Sequence, residues 1–196
     1  MNTATDSDTD TITDKNTGET ITFLETAATT GGTSVVMRLD LAPGTVVAVH
    51  AHPIEETFEL VEGDVVLEVD GRLANLKAGS VKVPGGHLHG LRNESSRPTS
   101  VRVTGTPGAE AEFGLRVKFQ LSRDGYIPVP GGGPPKRPLL GAVVIHRGGL
   151  YFPPLPRVIF RPVMAMLAAV GRWRGEERFL LDHYPDYARY LKTLRT

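Results

Sequence analysis

Between Ile21 and about Leu121 apolar and polar residues alternate in short runs: ITFLET, TSVVMRLDL, TVVAVHAH, ETFELV, DVVLEVD, RLANLK, SVKVP, HLHGLRN, SVRVTG and FGLRVKFQL. The runs are rich in β-branched residues and are separated by GG, APG, EG, DG, AG, PGG, SSRP and TPGAE. Period-two alternation bounded by turn residues predicts half-buried strands, and their regular succession predicts an all-β sandwich or barrel. Within it, Val61-Glu62-Gly63-Asp64 reads as the tight connection of a hairpin.

The pattern changes at both ends of this region. Residues 1–18, MNTATDSDTDTITDKNTG, have almost no apolar content and read as a disordered polar arm. After Arg123, DGYIPVPGGGPPKRP reads as a Pro/Gly-rich linker. LLGAVVIH is then a short apolar run and RGGLYFPPLP another break. RVIFRPVMAMLAAVGRW has helical composition, with Pro162 near its first turn, and a second helical pattern, EERFLLDHYPDYARYLKTLR, is interrupted at Pro185. The expected organisation is an arm over 1–18, a β-barrel over 19–122, and a linker with a helical C-terminal extension over 123–196.

Length and charge narrow the function classes. The 196 residues suit one well-buried domain with extensions. A formal net charge of zero and the lack of a helix-turn-helix pattern before the barrel argue against nucleic-acid binding. Without cysteine there are no disulfides, thiolate ligands or cysteine nucleophiles. The N-terminal arm lacks the basic and apolar runs of a secretory signal, and no stretch reaches the length of a membrane span, so a soluble, cytoplasmic protein is expected. Arg123–Thr196 holds 12 Lys/Arg against 5 Asp/Glu, whereas Met1–Ser122 holds 10 against 17, so the two parts attract each other.

Two readings of the C-terminal region follow. Its helices pack outside the barrel or across a dimer interface through the Val163–Val170 stripe, which is the favoured reading. Alternatively, Arg157, Arg161, Arg172 and Arg174 bracket an apolar face that contacts an anionic membrane surface or a partner. His146 and His183 lack ligand spacing and read as structural. Arg38, Arg102, Arg116 and Lys118 fall in alternating runs and read as solvent-facing strand residues.

The chemistry concentrates in GTVVAVHAHPIEETFELVEG, Gly44 to Gly63. In a strand, His50 and His52 share a face. Two neutral imidazoles and the Glu56 carboxylate converging there suit a first-row divalent metal. A second stretch, AGSVKVPGGHLHGLRN, breaks at Pro84-Gly85-Gly86 and resumes with His87 and His89. Counting by twos places Phe58 and Leu60 on the face of Glu56, and Val46 and Ala48 on that of His50, with Val81, Val83 and Leu91 also inward. These side chains either line a pocket for an apolar substrate or simply fill the core.

These two stretches resemble the paired motifs of the cupin family. The first, G-x5-H-x-H-x3-E-x6-G, is matched at every spacing by Gly44, His50, His52, Glu56 and Gly63; the second is matched by Pro84, Gly86, His89 and Asn93, with Gly79 one residue closer to Pro84 than the family pattern has it. The resemblance covers roughly residues 20 to 121. It implies a cupin-like jelly-roll β-barrel, here with a C-terminal partly helical extension, in which His50, His52, Glu56 and His89 occupy the metal-ligand positions. The motif does not call for His87, which is either a second-sphere or substrate contact or an exposed loop histidine.

The metal implied is one divalent first-row ion (Fe, Mn, Ni, Cu or Zn), with coordination positions left open for substrate or dioxygen. Similar cupins include dioxygenases, oxidases, decarboxylases and isomerases. The resulting expectation is a metal-dependent enzyme acting on a small organic molecule, with a dioxygenase-like oxidoreductase favoured. The alternative is a non-catalytic small-ligand-binding or assembly cupin whose C-terminal helices contact a partner. A homodimer is expected because pairing covers barrel edges.

Overall fold

Alternation sorts strand side chains onto two faces, and stacking the apolar faces removes them from water. The structure, a computed structural model, describes residues 10–77, 79–127 and 135–194. Among these residues ten strands form two antiparallel sheets. The first has the order β1 (Thr11–Asp14), β2 (Glu19–Glu25), β3 (Val35–Leu41), β10 (Thr99–Thr106), β5 (Glu55–Glu62) and β8 (Ser80–Val83). The second has the order β4 (Val46–His50), β9 (His89–Arg92), β6 (Val66–Val69) and β7 (Arg72–Asn75).

The core lies between the sheets. Met37 and Leu39 on β3 and Val101 and Val103 on β10 are buried there with Leu67 of β6 and Leu91 of β9. Each such side chain stabilises the fold by about 1.5–3 kcal/mol through burial. Outward positions carry charge: Arg38 pairs with Asp40 at 3.0 Å, and Arg102 faces Glu59 at 3.9 Å.

The structure departs from the expected elements in three places. Thr11–Asp14, expected within a disordered arm, form β1 on β2 in the register Thr11↔Thr22 to Asp14↔Glu19. Ile12 packs on the core and Asp14 accepts the Asn16 N–H at 2.9 Å, local features that a Thr/Asp-rich composition hides. Residues 1–9 of that arm lie outside the described residues. Secondly, β5 and β6 belong to different sheets, so Val61–Asp64 begins a crossover and is not a hairpin. The tight hairpin is β6–β7, turning through Asp70 and Gly71 at φ 50° and 79°.

The third departure corrects the all-β expectation itself. FGLRVKFQL, expected as the last barrel strand, lies in helix α1 (Gly108–Arg123), the first of five helices among the described residues. Its residues two apart fall on opposite helix faces, and both faces are covered. Ala111, Leu115 and Phe119 pack on the sandwich core, whereas Phe113, Val117 and Leu121 pack on the C-terminal helices. A helix buried on two sides thus reproduces the apolar period of a strand.

Arg116 and Lys118 are accordingly helical, and neither is free in solvent as expected. The Arg116 guanidinium sits 4.1 Å over the Phe23 ring and pairs with Asp10 and with Glu112, at 2.8 Å from the latter; Lys118 pairs with Glu19 at 2.7 Å.

The centre of the expected linker, residues 128–134, lies outside the described residues. Beyond it come α2 (Pro138–Arg147), α3 (Arg157–Trp173), α4 (Glu176–His183) and α5 (Pro185–Thr193). Leu140, Val143, Ala168, Leu180, Tyr187 and Tyr190 bury a second core against α1. Gly171 permits the close approach of α3 to α2, since a Cβ there would lie 2.9 Å from Leu139 O and from Val143 Cγ2. The helices therefore pack on the sandwich through α1.

Candidate metal centre

Three histidines and one glutamate meet at one end of the sandwich because two sheets deliver them. His50 ends β4 opposite His89, which opens β9, and Glu56 is the second residue of β5. The sequence motifs are tied together by backbone, with Gly86 N–H donating to His52 O at 2.7 Å. Gly85 beside it passes so close to Pro53 that a Cβ would lie 2.0 Å from the Pro53 carbonyl oxygen. No other residue fits there without moving the chain.

A bulge in β4 sets the inward parity. Val47 pairs with Leu91 and His50 with His89, so three steps on β4 match two on β9. Val47 and His50 can then both face inward, although they are an odd number apart. Val46 and Ala48, expected on the inner face, are exposed for the same reason. Val81 does share the Phe58 face by register, but on edge strand β8 it stays 38% exposed, whereas Val83 is buried.

The imidazole centroids lie 5.2 Å (His50–His52), 4.7 Å (His50–His89) and 4.7 Å (His52–His89) apart. One ligand atom from each histidine falls within 4.8 Å of the others. Each Nδ1 is tied to a backbone carbonyl: Ala48 O at 2.8 Å, Ile54 O at 3.1 Å and His87 O at 3.0 Å. A carbonyl oxygen only accepts, so each Nδ1 carries the proton and each Nε2 keeps a free lone pair. Glu56 Oε2 lies 3.0 Å from His89 Nε2 and 3.5 Å from His52 Nε2.

Electrostatics follow from this crowding. Burial, with the charges His89 and His52 would carry, pushes His50 down to about 3, so it is a neutral imidazole near pH 7. Burial opposes ionisation of Glu56, but the His52 and His89 imidazoles outweigh it and hold the carboxyl well below its ordinary range. Burial also disfavours charging His89, but the Glu56 carboxylate overrides it and raises His89.

The donor set fits a metal ion. Among the described residues His89 Nε2 is buried without a hydrogen-bond partner, with Glu56 Oε2 3.0 Å away. The lone pairs of the His52 and His89 Nε2 atoms and the nearby Glu56 carboxylate repel one another unless positive charge sits among them. Imidazole and carboxylate donors suit a divalent first-row ion.

The surroundings are apolar and partly aromatic. Phe58 is buried with its ring centroid 5.9 Å from that of His89, Leu91 is buried, and Leu60 packs half-buried on the same core. His87 does not point its ring at the site. Its Nδ1 lies 2.7 Å from Asp70 Oδ2 on the surface, and its backbone carbonyl is the part that reaches His89.

Two contributors escape the motif spacings. Phe152 stacks on His50, with ring centroids 6.0 Å apart and planes inclined by 23°. It is carried by an antiparallel backbone bridge between Ala51 and Tyr151, closed by two 2.9 Å hydrogen bonds. No sequence periodicity marks it, because it sits in a Gly/Pro-bounded break about a hundred residues from His50. Glu110, in the first turn of α1, is raised by burial and feels the charge of His52. Reading TPGAE as a helix start, with proline at the entry and acid in the first turn, would have exposed it.

A cavity of about 740 Å³ opens between β6–β7 and β8, lined by Leu67, Val69, Arg72, Leu76 and Val81 among others. None of the four converging side chains lines it, but Val69 is the register partner of His89.

The chain is similar to known proteins in this region. The family model described as a cupin domain matches residues 37–104. Among solved structures, an RmlC-like cupin from Shewanella frigidimarina NCIMB 400 is 24% identical, the match covering 57% of this chain and 96% of that one, with a TM-score of 0.47. The protein TT1209 from Thermus thermophilus is 32% identical over 39% of this chain and 74% of that one, with a TM-score of 0.37. The polyketide cyclase RemF from Streptomyces resistomycificus is 18% identical over 55% of this chain and 80% of that one, with a TM-score of 0.46. No curated protein matches the chain.

Proposed function

Starting from the cupin domain that residues 37–104 of the chain match, we propose that the protein is a metal-dependent enzyme acting on a small organic molecule, with dioxygenase-like oxidoreductase chemistry favoured. The observation that carries the reading is the tethering of three Nδ1 atoms to backbone carbonyls, which leaves three clustered imidazoles with free Nε2 lone pairs and the Glu56 carboxylate beside two of them, His52 and His89. His50, His52, His89 and Glu56 would hold one divalent first-row ion. Such an ion, when bound, supplies Lewis-acid activation and, for a redox-active metal, a binding place for dioxygen.

The chain's own residues set the conditions for that chemistry. The carbonyl tethers fix the ring orientations and the tautomer, so that no proton has to leave His50 before it can ligate. Phe58, Leu91 and Phe152 keep water from the sides and present an apolar surface to substrate carbon. Glu110, with its carboxyl raised by burial, is a candidate to hold a proton for this chemistry.

Elemental analysis of the purified protein beside His89→Ala tests the metal. Near-stoichiometric iron, manganese, copper or nickel, lost in the variant, supports the reading; equal metal in both proteins overturns the ligand set. Oxygen uptake across a panel of small aromatic and carboxylic substrates tests the reaction. Full metal with no turnover would favour a non-catalytic binding cupin.

A further inference from the structure

Helix α3 has two apolar faces, and the described residues cover only one of them. Phe160, Met164, Ala168 and Gly171 face the protein, against the Tyr151–Phe152 strap and α2. On the opposite side Val158 is 82% exposed, Met166 61% and Trp173 85%, with Ile159 and Val170 in the same stripe and Leu155 just ahead of it. At 100° per residue these helical positions fall within roughly a third of the helix circumference, so they form one continuous ridge about four turns long. Exposed apolar residues in such a row mark a contact surface.

The charges beside the ridge identify what it meets. From Arg157 through Gly175 there are four arginines and no acidic residue. Arg161 and Arg174 flank the ridge on either side, both are exposed, and among the described residues neither has an ion-pair partner. Pairing two copies through this face would set arginine against arginine without a carboxylate between them. An anionic lipid surface instead takes up apolar side chains at the acyl boundary and arginines at the headgroups, and tryptophan is favoured at that depth. No helix among the described residues is long and apolar enough to cross a membrane, so the helix would lie on one.

We propose that α3 is an interfacial helix that docks the protein on anionic membranes through the Val158–Met166–Trp173 ridge, with Arg161 and Arg174 at the headgroups. The covered face of the same helix packs on the strap that carries Phe152, so docking sets the His50 side of the metal centre near the bilayer.

Trp173 is the only tryptophan in the chain, so its emission reports on this surface directly. The full-length protein is titrated with vesicles of phosphatidylcholine alone and with vesicles containing about one third phosphatidylserine. Expected are a blue shift and quenching by brominated acyl chains on the anionic vesicles only, weakened by salt. Arg161→Gln with Arg174→Gln lowers partitioning by about 25-fold, near fivefold per arginine. Met166→Glu lowers it at least tenfold while the far-ultraviolet circular dichroism stays as in the parent. Water-exposed emission at millimolar anionic lipid overturns the proposal. So does a lipid-free dimer, seen by sedimentation, that Met166→Glu dissociates. Neither result bears on the metal content, which is measured separately.

Discussion

His50 and Phe152 lie face to face, ring centroids 6.0 Å apart and planes 23° from parallel, although one ends a sandwich strand and the other belongs to the helical region. The contact ties the helical region to the candidate metal centre through a small apolar cluster around Ala51, Tyr151 and Phe160, and the Ala51–Tyr151 bridge beneath it is the one isolated β-bridge among the described residues.

Replacing Phe152 with alanine should expose His50 without removing any of the four converging side chains. Its half-buried ring predicts a loss of about 2 kcal/mol, below the range for a fully buried phenylalanine. Urea denaturation measures that loss, and Phe152→Leu should recover most of it. Metal content should remain that of the parent.

Glu56→Gln keeps the shape of the side chain and removes its charge. Metal affinity should fall at least tenfold, by analogy with the cost of disturbing partners around metal ligands. In metal-free protein the carboxylate is what raises His89 against burial, so in the variant the His89 titration should move below its ordinary value. Nuclear magnetic resonance titration of the imidazole reads this; a His89 that does not move would contradict the assigned coupling.

Acid should destabilise the metal-free protein through His50. Its folded-state value is pushed from 6.5 down to about 3, so below pH 6.5 the unfolded chain takes up a proton that the folded site refuses. Stability falls as pH drops from 6.5 toward about 3 and this contribution levels off below that. His50→Asn should show a shallower slope in the same window by thermal denaturation, and parallel slopes would rule the mechanism out.

Helix α1 should be equally sensitive on both sides. Phe119→Ala on the sandwich face should cost about 3–5 kcal/mol and Leu121→Ala on the helical face about 2–5 kcal/mol. Denaturant unfolding measures both losses; in a strand at 113–121 these two positions, two apart, would share one face instead of packing on separate cores.

Gly171→Ala should push α3 from α2, since the new methyl meets the Leu139 carbonyl and Val143 at 2.9 Å. Overpacking of this kind costs about 1–3 kcal/mol, readable as a lowered denaturation midpoint.

Much of the sandwich was legible in the sequence because its strands have one covered face and one wet one. Met37 to Leu41 and Thr99 to Gly105 show that alternation plainly, and the turn residues between runs punctuate it. His50, His52, Glu56 and His89 could be grouped in advance because their spacings recur as a pair of motifs with a common geometry. Helices α3, α4 and α5 were legible from composition and from the positions of Pro162 and Pro185, whereas α2 reads in the sequence only as a short apolar run.

Tertiary structure alone decided the rest, and for one reason. Periodicity records the phase of a side chain relative to its neighbours, but not which surface arrives to cover it. Helix α1 reads as a strand because apolar partners cover both its faces; α3 reads as a packed helix although one of its faces meets nothing among the described residues. The β4 bulge reverses the inward parity between Val47 and His50 at a point where composition gives no sign of it. Phe152 reaches His50 only when a hundred residues of intervening chain have folded, so the sequence determined the candidate ligands and the fold determined what surrounds them.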